Sequence, residues 1–154
     1  ETADPELAIS RALKTYRQKG YSQNWVNQRL KSIEIRKSLT DEWEKRGVKE
    51  GIEFAILTDE ITQAWTGLTT KEYKKLKGIK KENLRDNMTN LELVLNMLAE
   101  TATTEISDKQ EPKTLNENKS VAREGGSVAG NARREIEMKT GKNVITKSKP
   151  KMLK

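Results

Sequence analysis

The sequence has 154 residues and a formal net charge of +7, with 30 Lys and Arg against 23 Asp and Glu. It contains no Cys and no His, which excludes disulfides, thiolate metal sites and the commonest general base of enzymes. Hydrophobic residues make up 33% and charged residues 34%, so we expect a modest core. The positive net charge favours an acidic partner, such as nucleic acid, an anionic surface or an acidic protein.

Two long helices are predicted at the start of the chain, joined at Gly20. Asp4 followed by proline is a typical helix start, and Ser22 is a typical cap for the second helix. The second helix is predicted to kink and restart near Thr40. Long helices joined by a short turn favour an antiparallel hairpin or a dimer arm at 1–47.

A central helical core is predicted over 48–107. Apolar residues at its start recur at three- and four-residue spacing, which places them on one helix face. The run 54–57 would also suit a short buried strand, but the helical period continues past it. The residues of this face are Phe54, Leu57, Ile61, Trp65 and Leu68.

Three capping-box patterns predict further helix starts, because a Thr and a Glu three residues later can satisfy each other's free backbone amides. The helix opened by Thr89 has the strongest pattern, with Leu91, Leu95 and Leu98 on one line. The three boxes are Thr69 with Glu72, Thr89 with Glu92, and Thr114 with Glu117.

The polar segment 108–113 contains a proline and is predicted to be a linker. A C-terminal helical segment follows at 114–146. Its three glycines indicate either two helices or one broken helix, since glycine is a poor helix former. These glycines are Gly125, Gly126 and Gly130.

The end of the chain is predicted to contain little regular structure. Val144 to Thr146 is typical of a short extended segment, and 147–154 is a basic tail that we expect to be disordered. Deleting this tail should leave the melting temperature unchanged. The fold class expected for the whole chain is all-α, with six to eight helices.

Basic residues concentrate between positions 71 and 85, where Glu72 and Glu82 alone oppose them. We call this set the basic stripe, and it is the candidate nucleic-acid contact because lysines on one surface can neutralise phosphates. Tyr73 lies within it and either stacks on a base or belongs to the core. The alternative for the whole set is an ordinary solvated helix face. The stripe comprises Lys71, Lys74, Lys75, Lys77, Lys80, Lys81 and Arg85.

Three weaker patterns have plain structural interpretations. Asp59 followed by Glu72-Tyr73-Lys74 resembles a metal-nuclease triplet, but that chemistry needs strands and the triplet falls in a predicted helix. The C-terminal glycines resemble a phosphate loop, but a flexible joint or a close helix crossing explains them better. The three Trp residues are expected to be core anchors rather than stacking platforms.

Several strings of the sequence resemble the C-terminal half of the DNA-damage-inducible protein D family, and the resemblance runs from about residue 7 to 145. These family members are bacterial and prophage proteins whose N-terminal half is a BRO-type antirepressor domain. The strings are FAIL at 54–57, LKGIKKEN at 76–83, MTNLEL at 88–93, the run 118–141, and the stretch 20–39.

The resemblance implies a regulatory role in the DNA-damage response or in prophage control, on DNA or on a DNA-bound recombinase filament. It supplies no catalytic residue, cofactor or metal ligand, so we expect no enzymatic activity; a metal-dependent nuclease is a minor alternative. The main alternative is a protein-interaction or dimerisation module that serves a DNA-binding half absent from these residues. No run approaches the ~20 apolar residues of a membrane span, so a cytoplasmic location is the default expectation. The resemblance implies that this is the cytoplasm of a bacterium.

Overall fold

The structure, a computed structural model, describes residues 5–150. These residues contain six α-helices, one short 3-10 turn at Arg85–Asn87 and no β-strand, which confirms the all-α class. The helices are α1 Pro5–Lys19, α2 Gln23–Lys45, α3 Ile52–Thr66, α4 Thr70–Leu76, α5 Asn90–Gln110 and α6 Leu115–Thr140.

The predicted helix starts are largely confirmed. The Ser22 side chain accepts from the backbone amide of Trp25 at the start of α2. The boxes that open α4 and α5 are complete in both directions. Only half of the third box forms, because Glu117 accepts from the amide of Lys113 instead of that of Thr114. Asp4 lies outside the described residues.

Contacts between helices give an up-down-up-down bundle of α2, α3, α5 and α6. α2 and α5 run in the same direction, since Arg36 pairs with Glu100 and, further along, Glu42 accepts from Ser107. α6 returns antiparallel to α5 after a tight turn at 111–114. α3 packs along α6, antiparallel to α2. The predicted kink in α2 is wrong, because the helix is continuous through Lys45.

All three Trp side chains are buried in the core, as predicted: Trp25, Trp43 and Trp65. The Trp25 indole donates to the carbonyl of Met88 (2.8 Å), and the Trp65 indole donates to Asn96 Oδ1 (3.1 Å). The first bond connects α2 to the residues just before α5, and the second connects α3 to α5 itself. One apolar cluster joins residues from the predicted segments 1–47, 48–107 and 114–146.

The glycines of α6 do not break it, which corrects the prediction of two helices or a broken one. Gly125 lies against α5, where an added Cβ would be 1.9 Å from Thr103 Oγ1. Gly126 lies against α3, where an added Cβ would be 2.7 Å from the Ile61 carbonyl oxygen. The glycines therefore permit a close crossing of α6 with α3 and α5. This packing outweighs the low intrinsic helix propensity of glycine.

The buried face of α5 is wider than the predicted leucine line. Leu95 is buried, but Leu91 and Leu98 are 41% and 38% exposed. α5 has α2 on one flank and α6 on the other. Its flanks are therefore buried, and the line that includes Leu91, Val94 and Leu98 is left facing solvent.

The C-terminal segment is irregular but packed. Val144 belongs to the core cluster, and no strand forms there. Residues 147–150, predicted to be disordered, lie against the bundle: the carbonyl of Ser148 accepts from Lys77, and Pro150 is buried. The rest of the predicted tail, 151–154, lies outside the described residues. No helix in the described part of the chain is long and apolar enough to cross a membrane.

Candidate nucleic-acid interface

The basic stripe falls on α4 and the irregular segment that leads from α4 to α5. α4 lies beside the end of α3 and the start of α5. Positions 73 and 77 are one helical turn apart and face inward, whereas 71, 74 and 75 turn toward solvent. The period of the helix thus divides the stripe into an inner and an outer set.

Tyr73 belongs to the inner set. Its side chain is 0% exposed and its hydroxyl donates to Glu92 Oε2. Burial raises the pKa of the Tyr73 hydroxyl, and the Glu92 carboxylate raises it further. The interpretation of Tyr73 as a stacking platform is therefore corrected, because no base can reach a ring that is enclosed by the core.

Lys77 also belongs to the inner set and is 2% exposed. Its ammonium donates to Glu92 Oε1 (2.6 Å) and to the carbonyl of Ser148 (2.5 Å). Glu92 is fully buried and additionally accepts from the amide of Thr89 (2.8 Å). A buried charge with this many partners holds α4, α5 and the C-terminal segment together, so Lys77 is not available to a phosphate.

Arg85 is half-buried and paired. It makes two parallel bonds to Glu100, at 3.1 and 2.5 Å, and Arg36 bonds the same carboxylate at 3.0 Å. Burial raises the pKa of Glu100, but the two guanidiniums outweigh burial and hold the pKa below its ordinary value. The triplet retains one excess positive charge at the inner wall of the site.

Five lysines of the stripe remain available, and we call them the lysine cluster. Four are exposed and Lys74 is half-buried; among residues 5–150 none of the five forms an ion pair, in contrast to Lys77 and Arg85. Uncompensated charge in one place is what a polyanion needs from its partner. The lysine cluster is Lys71, Lys74, Lys75, Lys80 and Lys81.

Three carboxylates near the cluster are directed toward backbone amides. Asp59 accepts from the amide of Thr70 (2.7 Å), and Glu72 accepts from that of Thr69 (2.8 Å). Glu82 accepts from the amides of residues 80 and 81, each at 3.1 Å. The bond from the amide of residue 80 lowers the pKa of the Glu82 carboxyl. These acids cap turns and helix ends, so they neutralise the lysines only at longer range.

The lysines surround concave surfaces. Lys71, Lys74 and Lys80 line a groove of about 870 Å³ that also touches α2 and α3. A second groove of about 570 Å³ lies between α4 and Ile79. A third cavity of about 350 Å³ has Lys74 and Lys81 in its wall. Lys74 lines all three, which places this residue at the centre of the site.

The weaker patterns acquire structural roles. The E-x-K triplet lies in helix α4, where Glu72 serves the capping box and Tyr73 the core. Asp59 is committed to the start of α4 and to Gln63. No group of three acidic side chains suited to a metal ion occurs within the described chain. The glycines of α6 lie inside a helix, so the close-crossing interpretation is confirmed and the phosphate loop is wrong.

Two residues of the site lie outside the predicted basic stripe. Arg36 lines the large groove from α2, and Asn96 lines the third cavity from α5. The sequence places Arg36 in a weaker basic set on the first two helices, for which an ordinary solvated face is the favoured interpretation. Asn96 carries no motif, so only the packing of α5 beside α4 could have identified it.

A family model described as the DinD C-terminal domain matches residues 21–150. The match covers α2 to α6, the basic stripe and the docked segment that follows α6. Searches of curated proteins and of solved structures returned no significant match.

Proposed function

This chain belongs to the DinD C-terminal domain family, and from that membership we propose that it is a non-catalytic regulatory domain that binds DNA or a DNA-bound protein. The setting of the proposal is the DNA-damage response in the bacterial cytoplasm. The DNA-bound protein in this proposal is a recombinase filament. The observation that carries the proposal is the lysine cluster: five lysines that form no ion pair within residues 5–150 and that lie beside three grooves.

The chemistry of the cluster favours the phosphate backbone over the bases. Lysine ammonium groups neutralise phosphates and release counterions, which supplies affinity without reading sequence. The aromatic side chain nearest in sequence, Tyr73, is buried, so it offers no ring for base stacking. We therefore propose binding that depends steeply on salt and weakly on nucleotide sequence.

The test compares the parent with a variant in which four lysines of the cluster are replaced by Gln. Gln keeps a long, helix-compatible side chain and removes only the charge. We expect unchanged helicity, weaker binding to single-stranded and duplex DNA, and a salt slope shallower by about two to four phosphates, at about 0.7 each for single strands or 0.9 for duplex. The replaced residues are Lys71, Lys74, Lys75 and Lys81.

A matched control removes the same number of charges elsewhere. Its four lysines are exposed and form no ion pair in the described chain. If the lysine cluster makes the contact, the control retains the parent's salt slope. Equal losses in both variants would show that only net charge matters, and no loss in either would refute the cluster as a DNA contact. The control residues are Lys14, Lys19, Lys109 and Lys142.

A second candidate function is a protein-interaction or dimerisation module. It is favoured by the exposed apolar line on α5, Leu91, Val94 and Leu98. α1 and α2, the predicted dimer arm, turn Tyr16 and Trp25 toward each other and into the core, which leaves them less apolar surface for a partner. Sedimentation across a concentration series distinguishes the two: a self-associating fragment that retains no DNA would support the second function.

A further inference from the structure

We propose that the third cavity, the one lined by Lys74, Lys81 and Asn96, is a phosphate-binding pocket for a nucleic-acid strand, with the side-chain amide of Asn96 as its buried donor. The proposal rests on the proposed DNA contact and assigns one specific site within it. The cavity lies between α3, the start of α4, the segment 81–88 and α5, and has a volume of about 350 Å³.

Asn96 is the unusual group in this wall. It is 4% exposed, yet its Nδ2 has no hydrogen-bond acceptor among the residues that the structure describes. The orientation of the amide is fixed, because the Trp65 indole can only donate and therefore must face Oδ1 (3.1 Å). Nδ2 is thus the free end. A buried donor without an acceptor is costly unless a ligand or water supplies one.

The charge around Asn96 indicates what that ligand is. Lys74 and Lys81 contribute ammonium groups that form no ion pair in the described part of the chain, and Arg85 lies in the same wall beside Glu100. The wall contains one carboxylate, Glu82, whose oxygen faces the amides of residues 80 and 81. A neutral hydrogen-bond donor beside several cationic side chains is an arrangement that can bind an oxyanion.

The remaining wall is polar but already bonded. Thr62 donates to the carbonyl of Thr58, and the Thr70 amide donates to Asp59. The ligand must therefore bring acceptors to Asn96 and the lysines rather than donors to the threonines. The volume is roughly ten times the share of one water, about 30 Å³, so it admits a phosphate with part of its nucleotide.

The first measurement follows the side-chain amide resonance of Asn96 by NMR in the parent protein. The probes are inorganic phosphate and a short single-stranded thymidine oligonucleotide, titrated separately. We expect both to shift this resonance, and the oligonucleotide to act at a lower concentration because the lysine cluster holds its other phosphates.

The second measurement uses Asn96→Asp, which keeps an oxygen for the Trp65 indole but replaces the free donor with an acceptor. We expect oligonucleotide affinity to fall about tenfold or more, since a charge-assisted bond is lost and a like charge is introduced. The control is Asn118→Asp, a buried Asn near the start of α6 whose Oδ1 lacks a partner. It should bind like the parent.

The outcomes separate this pocket from the broader function. If the oligonucleotide binds but the Asn96 resonance does not move, the pocket is refuted and DNA binding stands. If phosphate shifts the resonance but no oligonucleotide binds, the nucleic-acid source of the phosphate is refuted together with the proposed function. If Asn96→Asp fails to fold, the titrations of the parent protein still test the pocket. An Asn96 resonance that neither phosphate nor the oligonucleotide shifts would refute it.

Discussion

Glu100 is enclosed between the guanidiniums of Arg36 and Arg85 behind the lysine cluster. Burial raises its pKa, but the two cations outweigh burial, so the folded-state pKa lies below the unfolded value of 4.5. A carboxyl with a depressed pKa contributes stability that is present above the unfolded pKa. That stability is lost as the pH falls from 4.5 through the folded-state pKa.

We therefore expect Glu100→Gln to destabilise the protein at pH 7 by about 2–4 kcal/mol, because two partly buried guanidiniums lose their counter-charge. The variant should also lose less stability than the parent between pH 5 and pH 3. Urea midpoints at these pH values measure both effects. Glu105→Gln, on the exposed side of the same helix, should match the parent; equal acid sensitivity in Glu100→Gln would contradict the assignment.

Single residues were the hardest to predict within the candidate site. The density of lysine drew attention to 71–85, but it could not divide the outer set from the inner one. Tyr73 and Lys77 make buried bonds to Glu92, which is 19 and 15 residues away in sequence. Both interpretations of Tyr73 were open until that partner was placed. Asn96 gave no signal at all, because a side-chain amide without an acceptor among residues 5–150 is visible only in the packed structure.

At the scale of helices, the crossing of α6 over α3 and α5 depends on the absence of side chains. An added Cβ at Gly125 would lie 2.6 Å from the backbone nitrogen of Thr103 as well as against its hydroxyl. Backbone atoms of a packed helix cannot move aside without separating the two helices. Glycine therefore fits this position, where a larger residue would clash, despite its cost to helix propensity of about 1 kcal/mol.

Gly125→Ala tests this crossing. The substitution improves the intrinsic helix propensity of α6, yet we expect a net loss of about 1–3 kcal/mol because overpacking outweighs that gain. Chemical denaturation measures the change. Ser127→Ala, on the exposed face of α6, should be neutral or slightly stabilising. A gain in stability for Gly125→Ala would mean that the helices are not in close contact at this point.

Helix existence was predictable because local chemistry determines it. The caps at Ser22, Thr69 and Thr89 involve atoms within three residues of one another, and all of them form. The buried line of α5 was partly wrong, since the choice among its apolar residues depends on two flanking helices that periodicity does not locate. The break predicted at the glycines of α6 was wrong for the same reason. The low helix propensity of glycine can be read from the sequence, but the contacts that the glycines make with α3 and α5 cannot.

At the scale of the whole molecule, the candidate interface lies at one end of the bundle. Residues 147–150, the last that the structure describes, pack against the core there. Helical periodicity and the capping patterns predicted the all-α class, whereas composition predicted a modest core and a disordered tail. Residues 147–150 instead lie against α4 and the start of α5. A lysine-rich segment has little apolar surface to bury, so its docking depends on a few specific bonds that composition does not reveal.

The docking of residues 148–150 against Lys77 gives the last prediction. The Ser148 carbonyl is one of two acceptors of the buried Lys77 ammonium, the other being Glu92. Truncation after Lys147 removes this acceptor, and a charged buried donor that loses a partner costs about 1–3 kcal/mol. We therefore expect a lower melting temperature than for a chain truncated after Pro150, which retains the bond. The two truncations share every earlier residue, so their difference isolates 148–150. Equal melting temperatures would show that the segment adds no stability, and the original expectation for the tail would then stand.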